Sequence, residues 1–136
     1  MDTDWYMENL TFRDRARGEN GYADCWGLCY LIYARELGII LPRHDDMSLD
    51  TAEVEQLAGY IEANANHFVK AGAPQEFDLL MLIQASYPTH IGCAIDDEHM
   101  IHLQAGCNVA IEPIFGERWG RRIYGIYRHE ALLNGR

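Results

Sequence analysis

Positive charge is scarce in this chain: 11 Lys and Arg stand against 21 Asp and Glu, a formal net charge of -10. A sequence-independent grip on nucleic acid needs clustered Lys and Arg against phosphates, so nucleic acid is not an expected partner. The two small arginine groups, Arg13/Arg15/Arg17 and Arg118/Arg121/Arg122, read as solvated loops. Also missing is any run of about 18 apolar residues, which leaves no candidate membrane span. The start, Met1-Asp2-Thr3-Asp4-Trp5, has neither the positive region nor the apolar core of a secretory signal. Synthesis in the cytoplasm without export by that route is therefore expected, and a substrate outside the cell requires another means of delivery. There is no internal repeat and no low-complexity segment.

What the chain does have is enough apolar material for one core. Nearly half of its 136 residues are hydrophobic, and at that length one self-supporting domain over 1–136 is expected. Its four cysteines, at 25, 29, 93 and 107, are not needed as staples and read as free thiols.

Residues 1 to 24 are polar and glycine-containing, and predict a loop with at most a short helical turn. From Cys25 the periodicity changes. Leu28, Leu31, Ile32 and Leu37 recur at helical spacing, Asp24 stands at the N-cap position and Gly38 at the C-terminal stop. Asp50 and Glu53 form a capping box ahead of Val54, Leu57, Ala58 and Ile61, predicting a second helix. Beyond Gly72 and Pro74 the period shortens. Segments 77–83, 90–95, 99–103, 109–113 and 122–128 predict five strands. Helices first and strands after imply an α+β fold with N-terminal helices packed on an antiparallel sheet of about five strands.

Cys25 is the leading chemical candidate. A thiol in the first turn of a helix feels the positive end of the backbone dipole, which favours thiolate, and first-turn amides can donate to an oxyanion. Gly27 in that same turn implies that another backbone or a ligand passes close. His90 opens the strand His90-Ile91-Gly92-Cys93 and suits a general base. His102 shares a face with His90 if the chain turns back at Asp96-Asp97-Glu98, and then orients it as the third group of a triad. His99 has the opposite parity and reads as a surface residue; His44, His67 and His129 read as structural. Cys25, Cys29, His90 and His102 also make a formal zinc set, but Cys-x3-Cys within one continuous helix lacks the usual knuckle. Cys29 therefore reads as core, and neither metal nor cofactor is expected.

Together, Asp24-Cys25-Trp26-Gly27-Leu28, His90-Ile91-Gly92 and Ile101-His102 resemble the NlpC-type family of cell-wall cysteine peptidases, over about residues 10 to 128. The resemblance implies a papain-like α+β fold, Cys25 as nucleophile, His90 as base and His102 as the orienting residue. It implies cleavage of peptide bonds in peptidoglycan stem peptides. The Cys-Trp-Gly-Leu form, with Tyr33 and Glu36-Leu37-Gly38-Ile39 running to Pro42, is most similar to the phage tail and prophage branch. That likeness implies tail-tip proteins as partners, and virion association or release on lysis. Many relatives carry an oxyanion tyrosine about a dozen residues before the cysteine; here Phe12 stands there. Tyr22, with Asp24 and Trp26, is then the expected oxyanion and substrate-binding set, and Leu103 after His102 is expected to narrow the cleft. Another thiol hydrolase on the same fold, such as an amidase or acyltransferase, and a catalytically weak or inactive tail-tip module both stay open.

Overall fold

The computed structural model describes residues 1–44, 67–84 and 87–133. The helix expected after the Asp50 capping box falls outside these residues. Within them the fold is α+β. The N-terminal stretch is more ordered than its composition implies. Helix α1 (Thr3–Asn9) is capped by Asp2, and Arg35 stacks over Trp5 at 3.6 Å, holding α1 against the end of the next helix. Strand β1 (Thr11–Phe12) then pairs in parallel with β2 (Tyr22–Ala23).

Helix α2 (Cys25–Ile32) starts where Asp24 caps it. It runs on into a π-helical turn, Tyr33–Leu37, and stops at Gly38, whose φ of 67° is left-handed and suits glycine. Of the residues that the helical spacing singled out, Leu28 and Ile32 are fully buried and Leu31 and Leu37 half-buried against the same core, which Cys29 and Tyr33 join. Each of the larger ones contributes about 1.5–3 kcal/mol by leaving water.

The sheet has six strands: β3 (Phe68–Lys70), β4 (Leu79–Gln84), β5 (Tyr87–Ala94), β6 (His99–His102), β7 (Ala110–Pro113) and β8 (Ile123–His129). They are ordered β3-β8-β4-β5-β6-β7, and every neighbouring pair is antiparallel. The sheet is thus one strand larger than expected. The additional strand, β3, is three residues long, too short to show an alternation of its own.

Alternation along the strands gives the sheet two buried faces. Leu79, Met81, Ile91, Cys93, Ile101 and Leu103 face one side and join the core built with α2. Leu80, Leu82, Ala94, Met100 and Ile126 face the other, where Ile114 and Trp119 from the β7–β8 connection cover them. The candidate residues are divided between these two sides.

Candidate active site

The thiol belongs to the helix side. Asp24 Oδ1 accepts the N–H of Gly27 at 2.8 Å and Arg17 Nη1 at 2.9 Å, and Oδ2 accepts the N–H of Arg15 at 3.0 Å. Arg17 in turn donates to the carbonyls of Arg43 and His44, tying the loop before α2 to the segment after it. Gly27 is required here: a Cβ at this position would lie 2.1 Å from the carbonyl oxygen of Ala16. The close backbone approach that Gly27 implied is therefore present. Cys25, next to the cap, is 2 % exposed, and the backbone N–H of Ile91 on β5 is near enough to favour its anion.

Burial pushes the Cys25 thiol well above its ordinary range, and the Asp24 charge adds to the shift; the Ile91 N–H and Arg17 oppose it. The expectation that the helix start would favour thiolate is reversed. Removing a sulfur anion from water costs more than one turn of helix dipole returns.

The imidazoles belong to the other side. β5 and β6 pair with Gly92 opposite His102, so His90 lies diagonally across from His102 on one face. His90 Nε2 and His102 Nδ1 are 2.8 Å apart. The second nitrogen of His102, Nε2, bonds the carboxylate of Glu112 on β7. The indole N–H of Trp119 donates to the same carboxylate oxygen at 3.1 Å, and Arg118 donates to the other at 2.8 Å while also reaching Gln104 at 2.7 Å. Trp119 stacks on His90, with ring centres 5.5 Å apart, and meets His102 edge-on at 5.3 Å.

These contacts set the charges. Burial, then the neighbouring His102 and Arg118, push His90 down to about 3, so its ring is neutral at pH 7. Burial also lowers His102, although Glu112 pulls it upward. Burial works upward on Glu112, but the bonds from Trp119, His102 and Arg118 outweigh it and hold the carboxyl below its ordinary range. Thiol and imidazole thus rest as a neutral pair beside an ionised carboxylate.

Both sides meet at one end of the sheet, in a cleft of about 50 Å³ lined by Phe12, Cys25, Gln84, Thr89, His90, Leu103, Gln104 and Ala105. Leu103, as expected, is part of its wall. The three residues expected to bind substrate are not. Tyr22, 36 % exposed, lies under Arg13 and lines a separate depression. Asp24 is 0 % exposed, with Oδ1 committed to the cap and to Arg17 and Oδ2 to the N–H of Arg15. Trp26 is buried, its N–H donating to the carbonyl of Pro42 at 3.0 Å. Among the described residues no three His, Cys, Asp or Glu side chains converge to hold a metal ion. The four described cysteines are free.

A family model described as NlpC/P60 matches residues 14–128. The chain belongs to the NlpC/P60 family. No curated protein matches it. Membership places this NlpC/P60 chain in the class of cell-wall hydrolases and accords with the α+β sheet described above.

Sequence reasoning missed Glu112, Arg118 and Trp119. A signal for Glu112 existed in the pairing of two expected strands. Once β6 and β7 are antiparallel with His102 opposite Ala110, parity puts Glu112 on the histidine side. Nothing comparable marked Arg118 and Trp119, because a connection between strands has no period to read.

Proposed function

We propose that this NlpC/P60 chain is a cysteine peptidase that hydrolyses peptide bonds in bacterial peptidoglycan stem peptides, with Cys25 as nucleophile, His90 as base and His102 orienting His90. The observation that supports it most is the cleft shared by Cys25 and His90, with the far nitrogen of His90 tied to His102.

The neutral resting pair dictates how the chemistry runs. As the sulfur attacks the carbonyl carbon, its proton passes to His90 Nδ1, so no isolated thiolate has to persist in a buried site. The charge forming on the carbonyl oxygen needs donors. With phenylalanine at position 12, those are the N–H groups of Cys25 and Trp26, the first-turn donors of α2 that the Asp24 cap does not take up. His90 then gives its proton to the departing amine, leaving a thioester on Cys25. Water, deprotonated by the same nitrogen, hydrolyses the thioester and restores the thiol.

Delivery by a phage tail or prophage, with tail-tip proteins as partners, is part of the proposal. It rests on the Cys-Trp-Gly-Leu sequence form and on the -10 net charge, which gives no electrostatic attraction to an anionic wall. The narrow cleft and the raised thiol favour a second reading, a tail-tip module of weak or no activity. The two separate in one experiment on stem-peptide fragments. Wild type should cleave them, and Cys25→Ala should lose cleavage at least about 1,000-fold with an unchanged urea midpoint. A Cys25→Ala protein as active as wild type would overturn the peptidase reading, and a wild type that cuts nothing would favour the module.

A further inference from the structure

We propose that Glu112 is a positioning residue that decides which ring nitrogen of His102, and through it of His90, carries the proton. This rests on the reading of His90 as the base.

The case is one of counting protons. A carboxylate only accepts hydrogen bonds. Glu112 receives Trp119 and Arg118, which only donate, and its remaining contact is to His102 Nε2. That nitrogen must therefore carry a hydrogen. A neutral imidazole has one N–H, so His102 Nδ1 is bare and accepts from His90 Nε2 across the 2.8 Å separation. His90 has then used its own hydrogen, and its Nδ1 lone pair is left bare to take the thiol proton. The opposite tautomer of His102 would put a hydrogen on Nδ1, force the hydrogen of His90 onto its Nδ1 and leave the site without a base. Among the described residues no other group bonds a ring nitrogen of His90, and Trp119 meets it through its ring face.

Glu112 is also placed to act as an anion when His90 takes up a proton. It faces His102 from β6 and Arg118 and Trp119 from the β7–β8 connection. His90 is faced by His102 and Trp119, with Arg118 acting at longer range. The thiol on the helix side feels Asp24, Cys29 and Arg17. Among these groups Glu112 is the anion bonded to the histidine pair, so it offsets imidazolium charge that Arg118 alone would oppose. Its hold on Arg118, and that of Arg118 on Gln104, carries the chain of bonds back to the cleft wall.

The test reads protons directly and needs no peptide substrate. In ¹⁵N-histidine-labelled wild type at neutral pH, His102 should be protonated at Nε2 with Nδ1 bare, and His90 likewise. A hydrogen on His102 Nδ1 would overturn the proposal. In a Cys107→Ser background, which removes the exposed thiol, Cys25 alkylation by iodoacetamide near neutral pH should fall about 10- to 100-fold in Glu112→Gln, part of the 100- to 10,000-fold that a general base contributes. A folded Glu112→Gln protein with unchanged alkylation and unchanged histidine shifts would also overturn it. If Glu112→Gln does not fold, the wild-type spectrum decides alone. Tautomers as expected in a protein that cuts no stem peptide would sink the peptidase reading and leave this one standing.

Discussion

The two sides of the sheet solve opposite problems with opposite means. On the helix side the Cys25 sulfur sits in an apolar core, and the charges that act on it among the described residues, Asp24 and Arg17, are locked together with 0 % of either side chain exposed. On the histidine side the His90 ring is the first of a polar chain, His90 to His102 to Glu112 to Arg118, closed over by an indole. One side is held still by packing and a cap. The other is held by hydrogen bonds whose direction is fixed by where the protons are. Rigidity and proton placement are therefore separate properties of this site, and they can be damaged separately.

The largest break should come from the helix side. Arg17→Met leaves the Asp24 carboxylate buried without its partner, a change that costs about 3–5 kcal/mol; urea unfolding measures it. A loss below about 1 kcal/mol would mean that packing alone, and not the ion pair, holds the thiol in place.

Acid should next single out the histidine side. His90 is neutral in the folded chain down to about pH 3, whereas in the unfolded chain it protonates near 6.5. The unfolded state then binds more protons, so this stability is full above pH 6.5 and is lost as pH falls. The expected slope is about 1.4 kcal/mol per pH unit for this group, and the lowered His102 and His129 act in the same direction. Asp24, raised by burial, works the other way near pH 4, so the informative window is pH 6.5 to 5. Urea midpoints across it should decline in wild type and flatten in His90→Phe; parallel curves would place the titration elsewhere.

The smallest effect sharpens the comparison. Trp119→Phe keeps a ring against His90 but removes the N–H donated to Glu112, which retains His102 and Arg118. A cost of about 1 kcal/mol is expected, with alkylation of Cys25 lowered only slightly. A collapse of alkylation here, without loss of stability, would shift the positioning role from the carboxylate to the indole.

How far the sequence carries follows the same division. The start of α2 was legible because Asp24 is an N-cap and Gly27 has a physical reason to be there, and the end because Gly38 is left-handed. The histidine pair was legible because two strands and a tight turn leave only parity to settle. The direction of the thiol shift was not, since a local motif shows the dipole and hides the depth of burial. Tyr22 misled for a related reason: three residues along the chain placed it near Cys25, but the parallel pairing of β1 with β2 brings Phe12 into the cleft instead. Glu112 required a register between strands, and Trp119 a loop closure, both of which arise only on folding.

The strand order has a consequence for when this enzyme comes into being. The last of the described strands in the chain, β8, is not at the rim but between β3 and β4, and Trp119 and Arg118 precede it by only a few residues. Until that strand inserts, β3 and β4 each lack the neighbour that β8 provides, and the connection that carries Trp119 is not yet anchored over the histidines. A nascent chain carrying Cys25, His90 and His102 is thus still without its assembled site. Long-range pairing of this kind is slow to form, so the site is completed only late in folding.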